Sequence, residues 1–526
     1  MQRSLPLFFK SICLFILSQC ANTQIKAQIY YKDVAPIFIA NCTSCHHEGG
    51  LSFSLNSYTA VKNMAGSISP ALQNNIMPPW PADPTYKHYA KERIVSAADK
   101  AMITNWIAQG TLAGDTTLAP TPPTYGSAQL NGSPDMVLAL PKFTSNASSS
   151  DMYICVNVPV NLTQDRYIRA FEFIPGNQQL IHHAVITIDT TGLAVDDYSG
   201  SCFNFQGQIN IGDFAPGMGP TVLPGVNPVK FGFRLKAGAK MSFQIHIPHG
   251  TAGMMDSSKL NLFFYPLTET GIRPMYFETA LQNWNFYIPA NAVVKSTAKY
   301  PTTVAGVPID ISLYGTFPHS HKTCASILNF AYKNADTIPL VRIPKWDFHW
   351  QGQYTFKKMV KLPQGYHLFS EHVFDNTVNN PETPNPSNPV LPGTNTDDEM
   401  LFDSYLYSLY QAGDENVDIE AILAADTLFY PTGYGHFDKT IQTVNAYPNP
   451  FSKEIHITYS LLSAQFVRVK IVDLKGNIVA QLASGIESSG SHTHIWDAKD
   501  QGLPSGIYFY QIEAGQSKSS GKILLK

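Results

Sequence analysis

The sequence predicts a multidomain protein that has one small all-α module, two all-β domains and a C-terminal immunoglobulin-like β-sandwich. Its 526 residues suggest three to five domains at roughly 100–200 residues per domain. A helical pattern occurs only within residues 28–115, which end near the run AADKAMITNWIAQG. The rest of the chain alternates short β-branched and aromatic runs with Pro and Gly, a pattern typical of antiparallel sandwiches.

Charge and the N-terminal segment indicate an exported protein. Charged residues make up 14% of the chain and the net charge is -3, so no basic surface indicates a nucleic-acid partner. Residues 1–27 are predicted to be a signal peptide, because Arg3 and Lys10 accompany an apolar run too short for a membrane span of about 20 residues. Lipidation at Cys20 is the alternative to cleavage near Ala27, and the glutamine before that cysteine disfavours it. The mature chain is then expected outside the cytoplasm, where disulfides form.

The texture of the chain divides it further. Residues 28–115 form the helical module, and the Thr/Pro-rich stretch at 116–132 is predicted to be a linker that permits reorientation. Two β-rich domains are expected at 133–280 and 281–435. A last β-rich domain is expected at 440–526, where runs such as HITYSL and GIYFYQIEAG alternate with turns.

The helical module carries a haem-attachment motif. Cys42, Cys45 and His46 form C-x-x-C-H, in which two thiols bind the haem vinyl groups covalently and the histidine becomes the proximal iron ligand. A disulfide beside a chance histidine, or half a zinc site, is the alternative, but the segment contains no second cysteine pair. The module resembles cytochrome c, which implies one covalently bound c-type haem.

The second axial ligand of that haem is predicted to be Met77. This residue lies in NIMPPWPAD, where prolines stiffen the loop that presents the thioether to iron. Met64 and Met102 are the rivals, and Met102 falls on a helical pattern where core packing is its ordinary role. His47 is interpreted as a surface neighbour of the motif.

Histidines in the two middle domains form a pattern typical of copper sites. They occur as 182-HH-183, 246-HIPH-249 and 319-HSH-321, followed by Met400 in TDDEM. Imidazole suits copper in either redox state, and a thioether favours Cu(I). Side chains at i and i+2 share one face of a strand, so His319 and His321 can hold one ion. His182 and His183 are adjacent, so they need a bend, a bulge or different ring nitrogens to converge on one metal.

The order of these motifs resembles the copper type II, ascorbate-dependent monooxygenases, the family of peptidylglycine hydroxylating monooxygenase and dopamine β-hydroxylase. The resemblance covers about 133–435 and follows DMYICVNVPV, the segment from PGN to HH, APG to LPGV, FQIH, FPHSH and DDEM in that order. It implies two jelly-roll-like domains with one copper ion each. The ligands implied are His182, His183 and His246 for an electron-transfer copper, and His319, His321 and Met400 for an oxygen-binding copper.

The reaction implied by the resemblance is hydroxylation of a substrate C–H bond with O2, supported by electrons that normally come from ascorbate. Here the fused haem is expected to pass electrons from an external donor to the copper domains. The substrate is expected to be a small molecule other than peptidylglycine, because a peptide-carboxylate clamp of arginine, asparagine and tyrosine is replaced by Phe317, Phe402 and Ser404. The two phenylalanines predict an apolar pocket wall instead.

Other histidines of these domains have no metal assigned. His249 is a rival to His246, but FQIH matches the family's strand, so His249 is interpreted as exposed or as a support for the ligands. His349, His367 and His372 have aromatic neighbours and are interpreted as packed, hydrogen-bonded histidines.

Two cysteines are expected to stabilise the first β-rich domain. Cys155 and Cys202 flank the paired histidines and are predicted to form a disulfide, with free buried thiols as the alternative. Cys324 has no evident partner in the sequence.

The last domain carries an export signal. It opens at NAYPNPF and closes on GIYFYQIEAGQSKSSGKILLK. Both ends resemble the C-terminal sorting domain of the type IX secretion system of Bacteroidota, which implies contact with that machinery and a secreted or surface-attached product. An ordinary fibronectin-like accessory domain is the alternative.

The predicted function is therefore a copper monooxygenase supplied with electrons by ascorbate or by its own haem. The alternative from another class is an electron-transfer or copper-binding surface protein that has lost hydroxylation. The presence of all six copper ligands favours the enzyme, because a lapsed site tolerates ligand loss. Surface adhesion through the β-domains is a third interpretation, and it leaves the motif order unexplained.

Overall fold

A computed structural model shows a mostly β protein with several separate sheets and a few short helices. The structure describes residues 28–48, 52–120, 130, 132–202, 208–215, 218–426, 441–461, 465–473, 477–488, 490–498, 502–514 and 517–526. The predicted signal peptide and residues 121–129 of the predicted linker lie outside these ranges. Among the described helices, none has both the length and the apolar character that a membrane crossing requires. The chain forms two compact units, Met1–Tyr434 and Gly435–Lys526.

The N-terminal module is helical, as predicted. Its helices are α1 (Ala35–Asn41), α2 (Tyr58–Asn63), α3 (Ala65–Gln73) and α4 (Ala97–Ala108), with a π-helical turn at Tyr30–Val34 and a 3-10 turn at Thr116–Leu118. Serine side chains begin two of them, because the hydroxyl of Ser57 accepts a hydrogen bond from the first turn of α2 and that of Ser96 does the same for α4. Phe38, Val61 and Trp106 are among the buried residues of the small core.

The first β-domain has two larger sheets and a two-stranded ribbon. Its strands are β1 (Met136–Ala139), β2 (Phe143–Thr144), β3 (Met152–Pro159), β4 (Arg166–Ile174), β5 (His183–Asp189), β6 (Asp197–Gly200), β7 (Gln208–Phe214), β8 (Thr221–Val222), β9 (Gly225–Val226), β10 (Val229–Leu235), β11 (Lys240–Ile247), β12 (Met255–Asp256), β13 (Lys259–Phe264) and β14 (Arg273–Pro274). One sheet has the order β1-β13-β4-β10-β14, with β8 beside β4 and β9 beside β10; the other has the order β6-β3-β11-β5-β7, and β12 pairs with β2. Within the second sheet, β11 and β5 are antiparallel and place His246 opposite His183.

The second β-domain consists of two four-stranded sheets and one short helix. Its elements are β15 (Tyr276–Asn283), β16 (Val293–Tyr300), β17 (Ile311–His319), β18 (Cys324–Lys333), β19 (Asp336–Ile343), β20 (Tyr354–Leu362), β21 (His367–Asp375), β22 (Leu401–Leu409), a 3-10 turn at Asp414–Asn416 and α5 (Ile419–Ala425). The sheets have the orders β15-β22-β17-β20 and β16-β21-β18-β19. Strand β17 ends at His319, which lies opposite Phe402 of β22.

The two β-domains share one apolar core. Met275, Phe277, Tyr314, Phe317 and Leu406 of the second domain belong to the same buried cluster as the interior of the first. The hydroxyl of Tyr314 also donates a hydrogen bond across the boundary to a backbone carbonyl of the first domain at 3.0 Å. Continuous packing therefore holds the two domains in one arrangement.

The segment between α3 and α4 packs on the second β-domain. Ala82 and Tyr89 are buried in that domain's core, and the Tyr89 hydroxyl donates to the Leu340 carbonyl at 2.7 Å. Asp83 pairs with Arg342 at 2.6 Å. The module is thus attached by direct contacts, which the prediction of a reorienting linker did not anticipate.

The C-terminal unit is a separate β-structure of two sheets. Its strands are β23 (Ile441–Tyr447), β24 (Glu454–Leu461), β25 (Gln465–Val472), β26 (Ile478–Glu487), β27 (Gly490–Asp497), β28 (Gly506–Ala514) and β29 (Ser517–Leu525). The sheet orders are β23-β24-β27 and β26-β25-β28-β29. Alternate residues of β24 are buried, and Ile455, Ile457 and Tyr459 face the core with Trp496.

Candidate metal centres

Three histidines of the first β-domain converge at one end of the sheet that contains β5 and β11. His183 begins β5 and His246 lies opposite it on β11. His182 precedes β5 at a bend, and its backbone N–H donates to the His246 carbonyl at 3.0 Å. The bend supplies the irregularity that two adjacent histidines need in order to face the same point.

The three rings present nitrogen atoms to one another. The Nδ1 atom of His183 lies 3.3 Å from Nδ1 of His182 and 3.2 Å from Nδ1 of His246. One donor atom from each ring lies within 4.8 Å of the other two. Three imidazole nitrogens this close to one another form a donor set that suits a soft or borderline transition metal such as copper.

Asp151 orients the third histidine of this set. Its Oδ2 atom lies 3.0 Å from Nε2 of the buried His246, so Nε2 carries the proton and the lone pair of Nδ1 can bind a metal. Its Oδ1 atom contacts Nδ1 of His249 at 2.9 Å. Burial alone would raise the pKa of Asp151, but hydrogen bonds from His246 and His249 lower it well below its ordinary value. The ring of Tyr153 stacks on His246 with centroids 4.4 Å apart.

The second β-domain brings His319 and His321 together at the end of β17. Their ring centroids lie 5.2 Å apart. Nδ1 of His319 lies 2.5 Å from Oε1 of Gln351, and Nδ1 of His321 lies 3.2 Å from the carbonyl of Asp398. When each Nδ1–H donates to these acceptors, both Nε2 atoms are free to bind a metal.

Met400 adjoins this histidine pair through its backbone. Its carbonyl accepts a hydrogen bond at 2.7 Å from the hydroxyl of Ser320, the residue between the two histidines. Its N–H and that of His321 both donate to the buried Glu399, whose pKa burial raises to about 7. These contacts fix the backbone of Met400, and ligation by its sulfur stays a prediction.

A buried polar network lies behind the second pair. Asp403 is fully buried and accepts hydrogen bonds from the Ser370 hydroxyl at 2.6 Å, the Asn329 amide at 3.0 Å and the His319 backbone at 3.3 Å. Nε2 of His372 lies 3.2 Å from both of its carboxylate oxygens. One carboxylate therefore holds three elements of this domain around the histidine pair.

Phe348 lies buried between the two groups of histidines. Its ring centroid is 5.6 Å from that of His182, in a stacked arrangement, and 6.0 Å from that of His321, edge to face. Residues of the 394–398 segment approach the first group as well, because the hydroxyl of Thr396 donates to Asp151 at 3.1 Å. The two candidate sites thus face one another across the domain boundary.

Two aromatic rings adjoin His319, and the apolar pocket wall expected from them stays a prediction. Phe317 and Phe402 each have a ring centroid 6.4 Å from that of His319. Trp284 extends this surface, with its ring 6.2 Å from Phe402. Ser404 is buried and hydrogen-bonded to Thr279 at 2.9 Å, so it contributes little to the wall.

The remaining cysteines and histidines have mixed outcomes. The Cys155–Cys202 disulfide is confirmed, with Cα atoms 5.8 Å apart, and Cys324 is a buried free thiol. Among the histidines without an assigned metal, His367 and His372 are buried and hydrogen-bonded as predicted. The prediction for His349 was wrong: 66% of its side chain is exposed and it pairs with Glu382 at 3.1 Å, because the loop after β19 turns it to solvent.

The haem-attachment motif lies directly after α1. Cys42 caps that helix, and its carbonyl accepts hydrogen bonds from the N–H groups of Cys45 and His46 at 3.1 and 3.0 Å. Nδ1 of His46 lies 3.1 Å from the Phe53 carbonyl, which leaves Nε2 free for iron. Both thiols are free, so the donor set fits a covalently attached haem.

The predicted axial ligand of the haem lies on the loop after α3. The side chain of Met77 is 40% exposed, and its backbone N–H donates to the Ala71 carbonyl at 3.3 Å. Its rivals Met64 and Met102 pack at the edge of the module's core. Ligation by Met77 stays a prediction, and the side chains of Met64 and Met102 pack against the core.

Several residues that shape these sites were not identified from the sequence. Asp151 opens the quoted run DMYICVNVPV, where an acidic residue next to a strand was the available signal. Gln351 and Phe348 stand in WDFHWQ beside His349, and nothing in their spacing relates them to the histidine motifs. Asp403 follows DDEM closely, and its burial in a strand gave no sequence signal.

The metal-free protein is expected to lose stability on acidification. Burial lowers the pKa of His182 and of His319 to about 4, and lowers those of His183 and His321 well below their ordinary value. Between about pH 6.5 and about pH 4 the unfolded chain binds more protons than the folded chain. The free energy of unfolding therefore falls by about 1.4 kcal/mol per pH unit for each such histidine.

Thermal unfolding of the metal-free protein at about pH 7.5 and at about pH 5 measures this loss. His182→Gln is expected to reduce the difference between the two midpoints. His249→Gln is the matched control, because 62% of that side chain is exposed. An unchanged difference in His182→Gln would show that this ring is not held neutral by burial.

Comparison with known families identifies the tail. Residues 445–526 match the family described as a secretion system C-terminal sorting domain. The prediction of a type IX sorting domain is thereby confirmed, with a start five residues later than the predicted 440. This domain directs export through the type IX machinery, typical of Bacteroidota, and the chain is secreted or attached to the cell surface.

The other comparisons leave the first unit without a family. No curated protein matches the sequence. A β-glucuronidase of Faecalibacterium prausnitzii is similar at 11% identity and a TM-score of 0.14, over 44% of this chain and 37% of that one. A β-glucuronidase of Ruminococcus gnavus in complex with uronic isofagomine gives 9% identity and a TM-score of 0.12, over 50% of this chain and 45% of that one. This chain spans less than half of either enzyme, and TM-scores this low support no conclusion about activity.

Proposed function

We propose that this exported chain is a copper-dependent monooxygenase that hydroxylates a C–H bond of a small molecule with O2. The observation that carries the proposal is the pairing of two histidine groups across one domain boundary, each with free ring nitrogens. In the first group, Asp151 is hydrogen-bonded to the second ring nitrogen of His246. In the second group, Gln351 and the Asp398 carbonyl are hydrogen-bonded to one ring nitrogen each of His319 and His321. Histidines that bind a metal commonly have their second ring nitrogen held in this way.

The two donor sets suit different tasks. Three imidazoles from His182, His183 and His246 bind copper in either oxidation state, which fits an electron-transfer site. Two imidazoles with the thioether of Met400 favour Cu(I), which fits the site that reacts with oxygen. Bound copper would supply one-electron transfer and the activation of O2, and the chain supplies the ligands, their tautomers and the buried setting.

The side chains around His319 indicate the class of substrate. Phe402 and Trp284 offer aromatic surface, and neither of them can bind a carboxylate. Rings of this kind bind apolar and aromatic molecules through burial of apolar area. An apolar or aromatic small molecule with a reactive C–H bond is therefore the proposed substrate.

The haem module is proposed to bring electrons to these sites from an external donor, with ascorbate as a further reductant. Cys42 and Cys45 would hold the haem by thioether bonds, and His46 would orient its iron through Nε2. Met77 would complete the axial pair. A covalently held haem would supply electrons one at a time.

Composition and turnover of the exported protein test the proposal. We expect two coppers per chain by metal analysis and one haem that acid-acetone does not extract. With ascorbate and an alkylbenzene such as ethylbenzene, oxygen uptake should yield a hydroxylated product. Oxygen uptake without any hydroxylated product, across a panel of aromatic probes, would favour the non-hydroxylating electron-transfer protein, and a chain without copper would contradict both.

Met400→Ala separates the roles of the two sites. The variant is expected to retain most of its copper, because two imidazoles remain, and to lose product formation about 100-fold. Met254→Ala is the matched control, since that methionine lies at the edge of the first domain's core. Full product formation by Met400→Ala at low oxygen would place the reaction elsewhere.

A further inference from the structure

The loop between β19 and β20 contacts the haem module at one end. The Arg93 guanidinium, from the segment before α4, lies over the ring of Trp350 at 5.1 Å. Arg93 belongs to the N-terminal module that carries the C-x-x-C-H motif, so the loop contacts that module directly.

The same loop also contacts both histidine groups. Phe348 stacks on His182 at 5.6 Å and meets the edge of His321 at 6.0 Å. The indole N–H of Trp346 donates to the His321 carbonyl at 3.1 Å. Gln351 contacts Nδ1 of His319 at 2.5 Å. Residues 346–351, called the 346–351 loop below, thus contact both histidine groups and the N-terminal module that carries the C-x-x-C-H motif.

Hydrogen bonds within the 346–351 loop and to β18 hold it in one conformation. The Trp346 N–H donates to the Ala325 carbonyl at 2.8 Å and the Trp350 N–H to the Asp347 carbonyl at 3.1 Å. The Gln351 amide donates to the Phe348 carbonyl at 3.0 Å. A loop with this many fixed groups keeps its aromatic rings at constant distances from the sites.

We propose that the 346–351 loop is the route by which electrons pass from the haem on Cys42 and Cys45 to the two copper sites. The inference rests on the proposed function and names the residues that connect its parts. In each step one electron leaves a ferrous haem and reduces one Cu(II) to Cu(I), and no covalent bond forms or breaks. Trp350 and Phe348 are positioning residues that keep the donor and the acceptors close.

Two leucine variants test the route in the holoprotein. Trp350→Leu removes the contact with Arg93 without changing a histidine ligand. Phe348→Leu removes the ring contacts with His182 and His321. Tyr287→Leu is the control, because that aromatic residue is 57% exposed in the same domain and outside the loop. Each protein is prereduced and mixed with oxygen, and the absorbance of the haem reports its oxidation with and without copper.

Wild type and Tyr287→Leu are expected to show copper-dependent haem oxidation at the same rate. Trp350→Leu and Phe348→Leu are expected to slow it about tenfold, with the haem spectrum and the two coppers per chain unchanged. In the metal-free protein, hydrogen exchange of the loop amides should accelerate in Trp350→Leu, because the Arg93 contact is lost.

The outcomes separate the route from the function. Wild-type rates in both leucine variants, with copper-dependent haem oxidation present, would overturn the route and leave the monooxygenase standing. If haem oxidation in the wild type did not depend on copper, both the route and the electron supply through the haem would be wrong. Product formation with ascorbate would still test hydroxylation.

Discussion

His246→Ala is expected to remove one of the two coppers and to lower product formation at least about 100-fold. The residue is buried on β11, and its ring completes a group whose other members are His182 and His183. The variant loses an imidazole, which binds copper in either oxidation state, whereas Met400→Ala loses only a thioether that favours Cu(I). The ion is then held less tightly, and electrons reach the oxygen site slowly. Copper content per chain and the rate of product formation measure the two effects.

His249→Ala is the matched control for this experiment. It removes an imidazole that contacts the same carboxylate, since both rings lie within 3.0 Å of Asp151. Because that ring is exposed, copper content should stay at two per chain. The reverse pattern, with copper lost in His249→Ala and kept in His246→Ala, would make His249 the ligand.

Asp403→Ala is expected to lower the free energy of unfolding of the first unit by about 3–5 kcal/mol. The change leaves buried donors from Ser370, Asn329 and His372 without their acceptor. Each unsatisfied buried group costs about 1–3 kcal/mol. The midpoint of urea unfolding in the metal-free protein measures the loss.

Two further variants make the result specific. Asp403→Asn keeps the shape and one acceptor oxygen, so it should recover part of the stability. Asp397→Ala removes a carboxylate that is 65% exposed and pairs with Lys322, and it should leave the midpoint nearly unchanged. If Asp403→Ala behaved like Asp397→Ala, the buried network would have no role in holding the domain.

Residues that act through local spacing were predictable from the sequence. The spacing in 319-HSH-321 brings two rings together at the end of β17, and the C-x-x-C-H turn follows from its own five residues. The type IX tail was predictable because both of its ends carry characteristic runs. In each case a short stretch of chain contains the whole signal.

Residues that act through tertiary contacts were not predictable in the same way. Asp151 and His246 are 95 positions apart, and Gln351 and His319 are 32 apart, so their contacts exist only after the strands have paired. The wrong assignment of His349 has the same cause: aromatic neighbours in sequence suggested packing, but the loop buries Phe348 and exposes the next side chain.

The apolar core that crosses between the two β-domains restricts how the metal sites can work. Hinge closure of one domain over another is a common way to shut water out of an active site, and it requires an interface that can open. Here Phe317 and Leu406 are buried in the same cluster as Phe171 and Ile245 of the first domain, so opening would expose that interior. In the proposed enzyme, the distance between the two histidine groups would therefore stay nearly constant through a catalytic cycle.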